Sequence, residues 1–291
     1  MNLFAGLEKF GFKSNEPVDL FSDEKDEKQN AKDAEAKKVD EPTEEEFILE
    51  KTIRCTVCDK VLKTKMVKSG RVKRLEPDLD LRPRHMYIDT LKYDTTSCPY
   101  CGYTAMNRYF EHLSSGQIKL IKEQVCMNFK PESLVEMAVY DYDKAVEMHK
   151  LSLLNAIVKK AKTSEKAYNC LIISWLLRGK AETLEKSQPQ EKSQPQDKDK
   201  IAECRKEEEA FYQQAFDGLT KAVATEMFPI CGMDTSTMDY LLATMAFHFK
   251  QYDFASKSLS NVLSSTNAGN KIKDKARELK EKIIEEIKNS K

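Results

Sequence analysis

The sequence has 291 residues, of which 33% are charged and 40% hydrophobic, and its 48 basic and 48 acidic residues give no net charge. This balance excludes an overall field that would attract nucleic acid or a membrane, so any electrostatic recognition must be local. No apolar run approaches the roughly 18 residues of a spanning helix, and the first residues lack the pattern of a signal peptide. We therefore expect a cytosolic protein, whose eight cysteines are reduced thiols or metal ligands.

The first predicted element is a short amphipathic segment over residues 1–12. Its large apolar side chains recur at helical spacing and would form one hydrophobic stripe: Leu3, Phe4, Leu7 and Phe10. Residues 13–46 contain 13 acids and 6 lysines, a net charge of −7 that is typical of a disordered linker. The segment 1–12 is a candidate docking peptide, for a groove of this chain or of another protein, and an idle tail is the alternative.

Two Cys-x-x-Cys pairs then predict a zinc-ribbon-like domain over residues 47–112. The pairs are separated by 39 residues, and their four cysteines are Cys55, Cys58, Cys98 and Cys101. Each Cys-x-x-Cys turn points two sulfurs to one side, so two turns brought together supply the tetrahedral four-thiolate shell that zinc prefers. The residues that follow the pairs, Asp59 and Gly102, are types that tolerate the left-handed backbone such a turn requires.

The second pair also offers a redox alternative, because Cys98-Pro99-Tyr100-Cys101 is the motif of a glutaredoxin active site. A thioredoxin-like fold would continue into a βαβ pattern, whereas the sequence downstream has helical periodicity. Four thiolates leave no open coordination position, so the predicted single zinc ion is structural. The substitution Cys98→Ser is then expected to unfold the ribbon and leave the C-terminal helices folded. The remaining cysteines have no ligand spacing: Cys126, Cys170, Cys204 and Cys231.

Between the cysteine pairs, residues 60–74 read as a β-hairpin that turns at Ser69-Gly70. This stretch contains seven basic residues and no acid: Lys60, Lys63, Lys65, Lys68, Arg71, Lys73 and Arg74. A solvated face is one interpretation, and an anionic partner such as RNA or DNA is another, with three tyrosines available for stacking at Tyr87, Tyr93 and Tyr100. The acidic linker folding back onto the hairpin is a third.

Residues Cys55–Phe110 resemble the bacterial family known as domain of unknown function 2225. The resemblance lies in the two cysteine pairs, a lysine-rich strand over residues 63–69, a D-x-D-x-R-P element over 78–83, Tyr93, and the run Cys98–Ala105. Thr104 stands where the family tends to have alanine. The resemblance implies a zinc-binding module joined to helical repeats, and because the family has no assigned activity it carries over no catalytic residue.

Residues 113–291 have helical periodicity and predict a tetratricopeptide-like domain. A Tyr-x-x-Ala pattern with two further spaced positions occurs three times: Tyr142, Ala145, His149, Ser152; Tyr212, Ala215, Leu219, Ala222; and Tyr252, Ala255, Leu259, Val262. A generic helical bundle is the alternative. Residues 185–200 contain a repeated Lys-Ser-Gln-Pro-Gln motif and are expected to be a flexible insertion. Ser164 is a predicted N-cap, and residues 272–287 predict an amphipathic terminal helix.

The sequence therefore predicts a mainly α fold with a small β zinc ribbon, and its function is expected to be a cytosolic protein–protein adaptor. A nucleic-acid-binding ribbon that uses the basic residues is the alternative, and a redox enzyme that uses Cys98 and Cys101 is the third. No phosphate loop, nucleophile elbow or Ser/His/Asp arrangement is visible, so we expect neither enzymatic activity nor a small-molecule substrate.

Overall fold

The computed structural model describes residues 41–131, 137–187 and 195–289. The segment 1–12 with its candidate docking residues therefore lies outside the described residues, as does most of the acidic linker. Within the described part of the chain, two antiparallel strand pairs precede seven α-helices. Their bounds are β1 Ile48–Arg54, β2 Val61–Val67, β3 Thr95–Ser97, β4 Thr104–Met106, α1 Ser115–Ile121, α2 Tyr142–Val158, α3 Thr163–Ser187, α4 Pro195–Thr225, α5 Thr235–His248, α6 Tyr252–Ser264 and α7 Asn270–Asn289. The mainly α fold, with a small β module over residues 48–106, is as predicted.

The predicted hairpin over residues 60–74 is wrong in its pairing. Strand β2 pairs with β1, from Ile48 opposite Val67 to Arg54 opposite Val61, so the first cysteine turn is the hairpin loop. Residues Ser69–Arg71 form a 3-10 turn, and the chain beyond it makes only an isolated bridge from Arg74 to His85. The β-prone run before Cys55 competes for the same strand edge, and the cysteine turn, closed by a hydrogen bond from Cys55 N–H to the Lys60 carbonyl, places that run beside β2.

Two segments predicted to lack structure are partly helical. Residues Glu44–Phe47 form a 3-10 helix at the end of the predicted linker, because Glu44 accepts hydrogen bonds from Lys92 Nζ (2.7 Å) and Tyr93 Oη (2.8 Å). Helices α3 and α4 extend into the predicted insertion from both sides and are joined there by an Arg205–Glu185 ion pair of 3.0 Å. Only residues 188–194 of the insertion lie outside the described residues.

The helices begin and end at recognisable signals. Asp141 caps α2 and Asp234 caps α5, each accepting a backbone N–H three residues later at 2.7 Å. Both helices close with a lysine in the left-handed region, Lys160 (φ 53°) and Lys250 (φ 57°). Ser164 is not an N-cap, because α3 begins one residue earlier and the Ser164 hydroxyl donates to the Glu226 carboxylate at 2.6 Å.

The main hydrophobic core lies among α2–α7, around the buried stretch Leu171–Leu177 of α3. The alanines of the three Tyr-x-x-Ala patterns are fully buried in it: Ala145, Ala215 and Ala255. The terminal helix buries Ala276, Leu279 and Ile283, as its amphipathic pattern predicts. Leu91 and Met106 reach this core from the β module, and residues Pro42–Lys291 form one compact unit. None of the described helices combines the length and apolar character needed to cross a membrane.

Candidate metal centre

The first cysteine turn is formed by the loop between β1 and β2. Cys55 N–H donates to the carbonyl of Lys60 at 2.9 Å, and Asp59 N–H donates to the carbonyl of Cys55 at 2.9 Å. Asp59 takes the left-handed conformation with φ 64°, as the sequence predicts. The Val57 N–H lies 3.4 Å from Cys55 Sγ, so the turn also directs a backbone donor at the sulfur.

The second turn, between β3 and β4, repeats this geometry. Cys98 N–H donates to the carbonyl of Tyr103 at 2.8 Å, and Gly102 N–H donates to the carbonyl of Cys98 at 3.0 Å. Gly102 has φ 74°, and a Cβ atom there would lie 2.4 Å from the Phe129 ring. The position therefore requires glycine both for its backbone conformation and for the close approach of the ring.

The two turns bring the four predicted ligands together. All four sulfurs lie within 4.8 Å of one another, with Cys55–Cys101 at 3.7 Å and Cys58–Cys98 at 3.6 Å. These separations are far longer than the roughly 2.05 Å of a disulfide. Cys55, Cys98 and Cys101 are buried and Cys58 is half-buried. Hydrogen bonds with the Cys101 and Cys98 thiols lower the pKa of Cys55, whereas the bond with Cys55 raises the pKa of Cys101. Four cysteine sulfurs in this arrangement could hold a metal ion.

The cysteine cluster sits in a small hydrophobic core of its own. Tyr103 stacks on Phe110 with ring centroids 4.9 Å apart and donates its hydroxyl to the Phe110 carbonyl at 2.9 Å. Val125 and the half-buried Cys126 pack against the same core from a π-helical turn, Lys122–Cys126, that continues α1. This enclosure separates Cys55, Cys98 and Cys101 from bulk water, while Cys58 stays half-buried.

The seven basic residues predicted to bind an anionic partner divide between two regions. Three of them lie around a groove on the outer face of the β1–β2 hairpin: Lys60, Lys63 and Lys65. The other four follow β2 in the chain: Lys68, Arg71, Lys73 and Arg74. Of the three tyrosines, Tyr93 is buried and its hydroxyl is bound to Glu44, so the stacking role predicted for it is wrong. Tyr87 stacks on Phe47, and Tyr100 is 45% exposed beside the groove.

Sequence reasoning missed a charged network that joins the β module to the helices. Arg82, only 1% exposed, contacts Asp89 at 3.0 Å and Glu182 of α3 at 3.3 Å. Arg84 binds Asp78 at 2.7 Å and Glu182 through two hydrogen bonds of 2.7 Å. The guanidinium groups lower the pKa of the Glu182 carboxyl to about 2 against the opposing effect of burial.

A second part of the network reaches α4. Asp80 accepts hydrogen bonds from Trp175 Nε1 at 2.8 Å and from Arg178 at 2.9 Å, and Arg178 Nε also binds Glu208 at 2.7 Å. The D-x-D-x-R-P element thus binds α3 through its carboxylates and Arg82, and Arg178 of α3 extends the network to α4. The only sign of this network in the sequence is the cluster of charged residues in the D-x-D-x-R-P element itself.

The sequence also matches a known protein family. Residues 48–283 match the family described as "Uncharacterized protein conserved in bacteria (DUF2225)". The match covers both cysteine turns and almost all of the helices, which confirms and extends the resemblance seen in Cys55–Phe110. No curated protein and no solved structure gives a significant match.

Proposed function

The chain belongs to the bacterial DUF2225 family, and we propose that it is a non-catalytic adaptor in which one structural zinc ion supports a helical-repeat surface that binds a protein or peptide. The proposal rests on one observation: a closed four-cysteine centre and tightly paired helices occur together in one compact unit.

Zinc fits the cysteine cluster best. With a Zn–S bond of about 2.3 Å, the sulfurs of a tetrahedral site lie about 3.8 Å apart. The Cys55–Cys101 and Cys58–Cys98 separations of 3.7 and 3.6 Å are close to this edge length. Four thiolates complete the coordination shell, so such an ion would stabilise the fold and would hold no activated water. Structural zinc sites of this kind contribute roughly 10–16 kcal/mol of binding free energy.

The adaptor role is supported by how the helices pack. Helix α3 packs along α4 so closely that a Cβ atom on Gly218 would lie 2.6 Å from Ala167 Cβ. Helix α6 packs on α5 through the fully buried Ala255, and α7 covers the end of the stack. Small residues at helix contacts and a covering terminal helix are typical of repeat stacks that present a binding surface.

An exposed apolar pair on α2 gives the proposal a test. Leu154 is 49% and Ile157 is 55% exposed, and the two side chains lie one helical turn apart. Native mass spectrometry of the full chain, purified from its own cells, should show one zinc ion and a bound protein partner. The double variant Leu154→Glu/Ile157→Glu should lose the partner and keep the zinc, whereas Met227→Glu, at a 91% exposed position, should keep both. An unchanged partner in the double variant would contradict this surface.

Nucleic-acid binding is the second candidate, because a lysine and an exposed aromatic ring meet at the hairpin. Lys60 Nζ lies 4.9 Å from the centroid of the Tyr100 ring, an arrangement that suits a base stacked beside a phosphate. The triple charge reversal of Lys65, Arg71 and Lys73 to glutamate should abolish nucleic-acid binding under this candidate. Under the adaptor proposal it should leave the protein partner bound and alter only the salt dependence of that binding.

A further inference from the structure

A cavity of about 760 Å³ is lined by the loop that follows β2 and by the 3-10 helix Thr90–Tyr93. Its described lining residues include neither the cysteine ligands nor the exposed pair on α2. The volume of this loop cavity is within the range of roughly 300–1,000 Å³ that ligand sites have. Apolar side chains form much of its wall: Val67, Val72, Leu75, Leu81 and Leu91. Leu75 is 45% exposed, so part of this wall is open to a ligand.

Some polar groups of the loop cavity are already paired within the protein. Arg84 is bound by two carboxylates. Asn107 accepts a hydrogen bond from Thr96 Oγ1 and donates one to the Tyr93 carbonyl, both of 2.8 Å. In the part of the chain that the structure describes, three other charged residues of the wall form no ion pair: Arg74, Asp94 and Arg108. These three determine which ligand the loop cavity can take.

Asp94 supplies an unused acceptor. It follows the 3-10 helix directly, and among the described residues no donor binds its half-buried carboxylate. Desolvation raises the pKa of Asp94 to about 6, and the charge of Arg108 only partly opposes this effect. A carboxylate that is removed from water without a hydrogen bond lowers the stability of the fold, so a donor on a ligand would offset that cost.

Arg108 places a donor close to this acceptor. Its Nη1 donates to the Cys231 carbonyl at 2.6 Å, and the guanidinium carbon lies 5.6 Å from the centroid of the Tyr168 ring, so the group is held in place. A phosphate at this end of the cavity would be repelled by Asp94, and an ammonium group would be repelled by Arg108. A neutral group that both donates and accepts fits the pair, and a peptide amide is such a group.

Arg74 lies at the other end of the 3-10 helix. Its backbone bridges to His85, whose Nδ1 is 3.2 Å from Thr90 Oγ1 at the start of that helix. At a rise of about 2.0 Å per residue, Thr90 and Asp94 are about 8 Å apart. An extended peptide advances about 3.3 Å per residue, so two or three residues would connect the two ends. Arg74 is exposed and calls for an anion.

We propose that the loop cavity binds the carboxyl-terminal end of an extended peptide, with its terminal carboxylate at Arg74 and a backbone amide at Asp94 and Arg108. A guanidinium group binds a carboxylate through two parallel hydrogen bonds. A terminal carboxylate is fixed by the backbone itself, whereas an aspartate or glutamate side chain would also lose rotamer freedom on binding. Apolar side chains of the peptide pack against Leu75 and Leu81.

This inference goes beyond the adaptor function, because it assigns a ligand to the β module. It holds or fails independently of the exposed pair on α2, whose test uses different variants and a different partner.

Retention of synthetic peptides on the immobilised full chain tests the proposal. The probe is a pool of acetylated hexapeptides, three glycines followed by three varied apolar residues, with free carboxyl termini. A second pool has the same sequences with amidated ends, and a third has amidated ends and one aspartate or glutamate among the varied residues. Mass spectrometry measures the retained amount. The acid pool should be retained at least about tenfold better than either amidated pool, because each of those lacks the terminal charge that binds Arg74.

Two variants assign the binding to the loop cavity. Arg74→Gln should lower retention of the acid pool to that of the amidated pool, whereas Arg277→Gln, an exposed arginine on α7, should keep the wild-type retention. Asp94→Ala should lower retention about tenfold or more, since a charged hydrogen bond is lost. Its melting temperature should equal or exceed that of the wild type, because the variant removes a desolvated carboxylate, whereas a purely structural Asp94 would lower it.

Three outcomes would overturn the proposal. The first is equal retention of the acid and amidated pools, or retention of neither, because the terminal carboxylate would then not be recognised. The second is retention of the third pool as strong as that of the acid pool, which would make an acidic side chain the ligand. The third is unchanged retention of the acid pool in Arg74→Gln or in Asp94→Ala, because the peptides would then bind elsewhere.

Discussion

The buried His149 makes the stability of the protein dependent on pH in a defined direction. The side chain is fully buried on α2, with Nε2 2.7 Å from Thr95 Oγ1 and Nδ1 3.1 Å from Asn169 Oδ1. Asn169 Nδ2 binds Ser152, so its Oδ1 faces the ring and accepts from Nδ1–H. The neutral ring then accepts the Thr95 hydroxyl hydrogen at Nε2, whereas a second ring proton would place a positive charge in a site closed to water.

The size of this loss of stability follows from the pKa shift of His149. Desolvation lowers the pKa of His149 to about 4, against the smaller raising effects of hydrogen bonds to Asn169 and the Leu91 carbonyl. In the unfolded chain the pKa is about 6.5. Between these values the unfolded chain binds a proton that the folded chain does not, so stability is complete above pH 6.5 and is lost as the pH falls. At pH 4.5 the expected loss from this group is about 2.5 kcal/mol.

Urea unfolding of the wild-type chain and His149→Gln between pH 7.5 and 4.5 measures this contribution. The free energy of unfolding of the wild type should fall by about 2.5 kcal/mol more than that of the variant. Comparing the two chains removes the effects of carboxyl groups and of metal loss, which they share. His248→Gln, at an exposed site beside Glu209, is the matched control and should follow the wild type. Parallel pH profiles for the wild type and His149→Gln would refute the argument.

Three further changes test the metal centre and the charged network. Cys98→Ser should reduce bound zinc from one ion per chain to none in elemental analysis, whereas Cys126→Ser should retain it. Gly179→Ala should lower the free energy of urea unfolding by about 1–3 kcal/mol, because its Cβ would lie 2.5 Å from Arg82 Nη2. The cost of this clash outweighs the gain in helix propensity. Trp175→Phe should cost about 1.5–3 kcal/mol in the same assay, since a buried carboxylate loses a 2.8 Å hydrogen bond.

The cysteine set could be predicted because its determinants are local. Two residues of spacing place both sulfurs of a turn on one side, and the left-handed residues Asp59 and Gly102 are encoded directly after each pair. The strand pairing could not be derived in the same way. Residues 60–74 contain two β-prone runs around a plausible turn, and only the competition with β1 decides that β2 pairs in the other direction.

The charged network lay beyond sequence reasoning for a different reason. Arg82 and Glu182 are 100 residues apart in the chain, and Trp175 and Asp80 are 95 apart. Each residue alone reads as an ordinary surface charge or core aromatic, and only the folded chain brings the groups together at low solvent exposure. Arg82 Nε has no hydrogen-bond partner in the described structure, so the arginine depends on its carboxylates to offset burial.

Because the β module contacts α2, we expect loss of the metal to destabilise α2 as well. The sequence predicts that Cys98→Ser unfolds the ribbon alone. However, Asn155 Nδ2 of α2 donates to the Gly102 carbonyl at 3.2 Å, directly beside the second cysteine turn. Loosening that turn removes one of the two hydrogen bonds that Asn155 Nδ2 donates in this buried site, and a lost buried hydrogen bond costs about 1–3 kcal/mol. Hydrogen exchange in Cys98→Ser should therefore accelerate in α2 as well as in β3 and β4, while α5–α7 stay protected; an α2 as protected as in the wild type would show that the two modules are energetically independent.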